Sequence, residues 1–488
     1  MTITAPGRLY IGGEWRDASD GGRHDVVTPA TGEKIAEVAW ATVDDVNAAC
    51  RAAKEAFDSG VWSQLSGRKR SRVLLRIAEL LRERAEDFAQ AESQDVGKPI
   101  LFSRIIDIPT AIETFEYYAA LAQTSEGTFR ENDVPALQLA RREPVGVVGA
   151  ITPFNFPLIL TASKLAPALA AGNSIVHKPS EDTPLSAVLL AEVFDEAGLP
   201  DGVYNLITGA GPELGEAIVA HPDVDMIAFT GSSAVGSKVA AKAGELIKPI
   251  IMELGGDGAN IVFADADVDV AVQSVINGFT FNTGQFCMAG TRLLVERPLH
   301  DTLIGILAQA LPNVPLGDIA DMGTVIGPLV SQRQLDRVQG FVDRAAAAGG
   351  QVVTGGRRLE RGGFYYPPTV ITGLANETEA IQEEIFGPVL TVQPFDTEEE
   401  AIALANSTRY GLAMGIQTRD LVRAQRVAKR LDAGIIWVNT YGVLDPSLPF
   451  GGVKSSGFGR ENGPEGLHHY TRTKSIVIST PEPGTAAQ

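Results

Sequence analysis

Cysteine is nearly absent from this 488-residue chain, which holds only Cys50 and Cys287. Two thiols are too few for a disulfide framework, and that points to a reducing compartment. Histidine is scarce as well, at six residues. His468 and His469 are adjacent, and on a strand their side chains would point apart, so no metal site is expected. Positive charge is in deficit: 41 Lys and Arg against 60 Asp and Glu leave a formal charge of −19. That balance argues against nucleic acid and anionic membranes as partners. No apolar run approaches the ~20 residues that span a bilayer. The stretch Met1 to Gly12 lacks the basic flank and apolar core of a signal peptide. The expectation is a cytoplasmic protein with no nucleic-acid, membrane or metal partner.

What the chain does have is the composition of a globular protein, 44% apolar and 21% charged, long enough for two or three domains. Leu9-Tyr10-Ile11 followed by Gly12-Gly13 reads as a strand and turn. Val43 to Asp58 is an amphipathic helix, with Cys50 as packing. Arg68 to Asp95 reads as one longer helix stopped by Gly97-Lys98-Pro99, and Ile105 to Ala122 as another. From Arg142 strands and helices alternate. Val145 to Ile151, Ser174 to Lys178, Val203 to Ile207 and Met226 to Thr230 are the strands. Such alternation implies parallel βαβ units and a doubly wound sheet, whose ligands sit at the carboxyl ends of strands. A second α/β run begins near Gly256, with strands at Ala259 to Phe263, Arg292 to Val295, Val389 to Val392 and Ile435 to Val438. His469 to Ile478 alternates outside both runs and is a candidate for pairing across subunits. The tail from Pro481 is expected to be disordered.

One stretch is chemically conspicuous: Thr283-Gly284-Gln285-Phe286-Cys287-Met288-Ala289-Gly290. Small residues allow a sharp turn that presents a thiol, and a thiol so placed is a candidate nucleophile. The alternative is a buried structural cysteine. There is no G-x-G-x-x-G after the first strand of the sheet, and Gly209 to Gly215 has the wrong spacing for one. Instead Gly231-Ser232 opens a helix directly after a strand, where backbone N–H groups and the helix dipole suit a pyrophosphate.

Taken together, the chain resembles the aldehyde dehydrogenase superfamily over nearly its entire length. The resemblance rests on Pro153-Phe154-Asn155-Phe156-Pro157, Lys178-Pro179-Ser180, Phe229-Thr230-Gly231-Ser232, Met252-Glu253-Leu254-Gly255-Gly256, Gly284-Gln285-Phe286-Cys287, Glu383 to Val389 and Pro449 to Gly457. It implies a Rossmann-like cofactor domain at 1–122 and 144–255 and a second α/β catalytic domain at 256–469. It also implies an oligomerisation element made of 123–143 and 470–488, hence a homodimer or homotetramer. By the same resemblance Cys287 attacks an aldehyde, Asn155 and the Cys287 N–H hold the oxyanion, and Glu253 is the general base for hydrolysis. Relatives that pass the acyl group to coenzyme A commonly lack that Glu. The implied cofactor contacts are Ile151, Thr152, Pro153, Phe154, Lys178, Ser180, Glu181, Gly211, Gly215, Phe229, Thr230, Gly231, Ser232, Val235, Leu254, Glu384 and Phe386. Glu181 implies NAD as the preferred cofactor, with NADP possible, because its carboxylate accepts a 2′-hydroxyl and repels a 2′-phosphate. Phe115, Tyr118, Phe286, Met288, Tyr441 and Leu444 suggest an apolar, partly aromatic tunnel. That favours aromatic or medium-chain aldehydes as the small-molecule substrate, with a semialdehyde as the alternative.

Overall fold

A computed structural model describes residues 7–124 and 126–480. The expected disorder from Pro481 lies outside the described residues.

Two sheets organise the chain. The first runs in the order Gly457–Phe458, Ile250–Glu253, Met226–Thr230, Val147–Ile151, Ser174–Lys178, Tyr204–Leu206, Leu9–Ile11, Glu14–Arg16. Its five central strands are parallel. They are buried throughout except at Ile250, as strands covered on both faces by helices must be. One apolar cluster fills each side, the larger built on helices Gly67–Glu83, Ile108–Ala122 and Pro157–Ala171. The second sheet runs Gln351–Thr354, Thr369–Thr372, Val389–Phe395, Arg292–Glu296, Ala259–Val262, Ala413–Gln417, Ile435–Val438. It is parallel except at Gln351–Thr354. The strand Gly457–Phe458 falls within 256–469, yet it pairs with Ile250–Glu253 of the first sheet.

Register aligns the strand ends of the first sheet. Ile151 lies opposite Lys178, Phe229 opposite Ile151, and Thr230 opposite Glu253. Four strand ends therefore form one row at the carboxyl edge of the sheet, where an open α/β sheet binds ligands.

Three expectations from the sequence need correction. The helix expected from Arg68 to Asp95 is two helices, Gly67–Glu83 and Ala85–Val96. Arg84 leaves helical geometry (φ −102°, ψ 19°) and reaches Glu192 at 2.7 Å. The helix expected from Ile105 begins earlier and passes through a π turn, Ser103–Asp107, before Ile108–Ala122. Pro109 has no N–H to give to the preceding turn, which favours the widened ring. His468 and His469 sit at the end of helix Gly463–His469, not on a strand.

The terminal strand Thr471–Ser479 pairs antiparallel along its whole length with Ala136–Pro144, which also pairs with Thr128–Arg130. Its partner is thus local, and its outer edge is unpaired among the described residues. No described helix is long and apolar enough to cross a membrane.

Candidate active site

The Cys287 loop follows helix Val268–Thr280. Asn282, Thr283 and Gly284 take positive φ in succession (49°, 57° and 71°), reversing the chain over three residues. A Cβ on Gly284 would collide with the Gly387–Pro388 backbone, so only glycine fits this approach. Asn282, a residue that tolerates the left-handed region, ties the turn down. Its Nδ2 donates to the carbonyls of Asn155 (2.9 Å) and Gln285 (3.1 Å). The Asn155 side-chain amide donates to the Gln285 carbonyl at 3.0 Å. Ala289 N–H closes the next turn on Phe286 O at 2.8 Å, leaving Cys287 and Met288 at its corner.

The loop carrying Asn155 is also braced from behind. Glu92 accepts the Leu158 N–H at the start of helix Pro157–Ala171. Lys98, ion-paired with Asp107, lies 4.2 Å from the centre of the Phe156 ring. Asn155 and Cys287 thus meet from the two sheets. Cys287 is partly exposed as a residue. Its thiol pKa is nevertheless pushed up by burial and by the charges of Glu384 and Glu253, while its own N–H and that of Met288 pull the other way.

Glu253 ends its strand and is 2% exposed. Neither of its carboxylate oxygens has a hydrogen-bond partner among the described residues. Burial and the neighbouring Glu461 hold its pKa well above the usual carboxylate range, against the charges of Lys164 and Arg460. Glu461 is itself bound to Lys164 and, at 2.8 Å, to Ser163, and Lys164 donates to Thr230 at 2.6 Å. Sequence reasoning misses both Lys164 and Glu461. A signal exists for Lys164, the one charge in the otherwise uncharged helix Pro157–Ala171; Glu461 carries none.

The remaining strand ends continue along the carboxyl edge of the first sheet. Lys178 is buried, and its pKa is lowered by that burial against the opposing charge of Glu181, 3.2 Å away. Burial pushes Glu181 up, but Lys178 holds it below the usual range. Ser180 Oγ accepts the Asp182 N–H, and Asp182 pairs with Arg333 at 3.2 Å. A Cβ on Gly211 would stand 3.1 Å from Glu181, and one on Gly215 3.8 Å from Ile151, so both glycines keep this wall thin. Thr152 Oγ1 bonds His177, whose pKa burial and two lysines lower to about 3. Ser232 caps helix Ser233–Glu245 through Val235 N–H, with the Phe229 ring under Gly231 and Leu254 against Gly236. Glu384 accepts the Gly256 N–H at 3.0 Å, and burial raises it to about 8. Phe386 (φ 60°) packs edge-on against Phe154 at 5.6 Å, next to Pro153.

The apolar wall differs from the one expected from the sequence. Phe286, Met288 and Tyr441 cluster with Cys287, as do Phe156, Leu160, Trp437 and Phe450. Phe115 and Tyr118 do not. Both are fully buried in the helical cluster of the first sheet, Phe115 against Phe194 and Tyr118 bonded to the Gly463 carbonyl. Their 3-residue spacing puts both rings on the core face of one helix. Leu444 is on an exposed loop. Among the described residues no group of three or more His, Cys, Asp or Glu is placed to hold a metal.

Comparison with known proteins agrees with this geometry. A model described as the aldehyde dehydrogenase family matches residues 15–476. A betaine aldehyde dehydrogenase from Staphylococcus aureus, solved in complex with NAD+, is 39% identical with a TM-score of 0.97, over 99% of this chain and 96% of that one. An aldehyde dehydrogenase from Bacillus cereus, also with NAD+, is 40% identical with a TM-score of 0.96, over 99% and 97%. An NAD-dependent aldehyde dehydrogenase from Sinorhizobium meliloti is 40% identical with a TM-score of 0.96, over 98% and 95%. With its matched length, its fold and the convergence of Cys287, Asn155 and Glu253, this chain belongs to the aldehyde dehydrogenase family.

Proposed function

We propose that the protein oxidises an apolar aldehyde to a carboxylate, with Cys287 as nucleophile and water as the final acceptor of the acyl group. The observation that carries this is the meeting of three groups at one point: a thiol on a tight turn, an amide beside it, and a buried carboxylate. The Cys287 thiol gives its proton to solvent as the sulfur forms a bond to the carbonyl carbon, and the carbonyl π pair moves onto oxygen. That oxyanion is held by the Asn155 amide and the Cys287 N–H, donors fixed before charge develops. The Asn155 amide has two N–H donors, of which the Gln285 carbonyl takes one, and the other is available to the oxyanion. NAD, which Lys178, Glu181, Glu384 and the helix after Gly231 would hold, would supply the hydride acceptor for the thiohemiacetal carbon, and Cys287 would be left carrying the acyl group as a thioester. Glu253 then removes a proton from water as it adds to the thioester carbon. The carbon–sulfur bond breaks, and acid and thiol are released. A base needs a pKa near working pH, and the burial that raises Glu253 acts in that direction.

The residues around the carboxyl edge of the first sheet fit a dinucleotide by their chemistry. Lys178 and Glu181 offer donor and acceptor to a ribose, the capped helix after Gly231 offers N–H groups to a pyrophosphate, and Glu384 offers an acceptor to the second ribose. The Glu181 carboxylate favours NAD over NADP. An apolar aromatic or medium-chain aldehyde suits the ring-lined cluster of Phe156, Phe286, Phe450 and Met288, with a semialdehyde as the alternative. The hairpin sheet with its open edge at Thr471–Ser479, bearing exposed Val477 and Ile478, supports a homodimer or homotetramer. Two unpaired cysteines suit the cytoplasm. The test is reduced-nicotinamide formation from benzaldehyde, phenylacetaldehyde, hexanal, succinic semialdehyde and betaine aldehyde, with NAD and with NADP. Turnover that is abolished by Cys287→Ala and fastest on the apolar members supports the proposal. Preference for succinic semialdehyde or betaine aldehyde refutes the apolar assignment.

A further inference from the structure

The sequence suggests Tyr441 as a wall of the substrate tunnel, but its surroundings describe a different task. Its hydroxyl donates to the carbonyl of Met288 at 3.0 Å, one residue past the nucleophile. Its ring fills a slot walled by four glycines from four separate segments. A Cβ on Gly258, Gly278, Gly290 or Gly415 would stand 2.7, 3.3, 2.9 or 2.8 Å from a Tyr441 atom. Gly258 precedes strand Ala259–Val262, Gly278 belongs to helix Val268–Thr280, Gly290 ends the nucleophile loop, and Gly415 lies in strand Ala413–Gln417. Trp437 closes the slot at 4.7 Å between ring centres and is itself tied to Val443 O at 2.9 Å. One ring is therefore keyed into the second sheet on several sides, and its only polar atom points at the turn that carries Cys287.

We infer that Tyr441 is a positioning residue for the nucleophile: its hydroxyl holds the Met288 carbonyl, and with it the Met288–Ala289 peptide plane, so that the turn presenting the Cys287 sulfur stays fixed. Two backbone bonds fix the rest of the turn, Ala289 N–H to Phe286 O and Gly290 N–H to Gly278 O, at 2.8 and 2.9 Å. Neither holds the Met288 carbonyl. The Ala289 N–H and the Met288 carbonyl share one planar peptide, so Phe286 and Tyr441 hold that plane from its two sides; without the phenol one tether remains and the turn carrying Cys287 can rock. The charged neighbours would not compensate. Glu253 and Glu384 face the sulfur, and both oppose thiolate. The groups facing Tyr441 are Asp257 and Arg292, which pair with each other at 3.1 Å. The inference rests on the proposed role of Cys287 as the nucleophile.

The experiment is alkylation of Cys287 by iodoacetamide in the full-length protein across pH 6 to about 10, read as the rate at each pH because burial and two carboxylates hold this thiol above the ordinary range. Cys287→Ala supplies the background from Cys50, a thiol that burial pushes up to about 12. Tyr441→Phe keeps the ring and all four glycine contacts and removes one hydrogen bond. It is expected to slow alkylation by about three- to ten-fold at every pH in that range, the span one hydrogen bond supports. The acylation step should slow by a similar factor, with the Kd for NAD unchanged. A profile that superimposes on the wild-type one overturns the inference, whatever happens to the melting temperature. If Tyr441→Phe does not fold, Gly415→Ala, which crowds the ring from the far side, must shift the profile in the same direction or the inference fails. Alkylation needs no aldehyde, so loss of the proposed activity and loss of this positioning role are separately visible.

Discussion

Replacing Gly256 by alanine is the most direct way to ask whether catalysis depends on the placement of the Cys287 loop. Gly256 lies between strand Ile250–Glu253 and strand Ala259–Val262, and its Cα faces the nucleophile turn. A Cβ there would sit inside 3.0 Å of the Cys287 carbonyl oxygen and 3.2 Å from Leu412, where ordinary contacts are 3.4–4 Å. Leu412 is buried in the apolar cluster and cannot retreat far. The loop must therefore give by about 1 Å, because repulsion rises steeply inside van der Waals contact. Overpacking of this kind costs about 1–3 kcal/mol of stability. A 1 Å displacement of a reacting group costs roughly 10²-fold in rate. The expected result is a loss of about two orders of magnitude in kcat/KM with a drop of only a few degrees in Tm, by thermal melting of the same preparation. Gly305→Ala is the control. It lies in helix Arg297–Ala310 with nothing within 4 Å of the new methyl, and helix propensity predicts a gain of about 1 kcal/mol and unchanged activity. If Gly256→Ala retains activity within threefold, the loop tolerates displacement and the close packing at Cys287 does not govern the rate.

Three further outcomes are expected. Glu253→Gln should leave the first turnover intact and stop hydrolysis, so that acid quench and mass spectrometry find Cys287 as a thioester; a steady-state rate near wild type would exclude Glu253 as the base. Glu461→Gln removes a negative neighbour that raises Glu253, so the acid limb of the kcat profile should move to lower pH; movement to higher pH would contradict this sign. Glu181→Gln removes the charge opposing a 2′-phosphate beside Lys178, and the NADP to NAD ratio of kcat/KM should rise by at least about fivefold, since two like charges ~4 Å apart repel by about 1 kcal/mol even at the dielectric of bulk water; an unchanged ratio would place the 2′ position elsewhere.

Much of the fold is legible in the chain because local physics produces it. A strand such as Val147–Ile151 is an uninterrupted apolar run between turn residues, and the alternation of strands with helices leaves few topologies open. The turn at Gly284 announces itself by its small residues, and Glu253 is found through the family resemblance. What stays hidden depends on contacts between distant segments. Phe115 and Tyr118 look equally suited to a tunnel or a core, and only the packing of helix Ile108–Ala122 against its neighbours decides. The break at Arg84 follows from its reach to Glu192, more than a hundred residues away. Tyr441 gives no sign of its slot, since the four glycines that make it are spread from Gly258 to Gly415. Glu461 is invisible for the same reason: its importance comes from lying beside Glu253 and Lys164, not from its own neighbourhood.

The short strand Gly457–Phe458 has a consequence for how the molecule can be divided. It returns from the second α/β unit to pair with Ile250–Glu253, the strand that ends in Glu253. The polypeptide therefore passes between the two sheets once on the way out and again on the way back. A fragment cut after residue 255 would leave Ile250–Glu253 as a bare edge, and a fragment beginning at 256 would carry a strand with nothing to join. The two units are thus not separable parts that happen to share a linker. Each is completed by the other, and a proteolytic nick between them should yield a complex that stays together until both unfold.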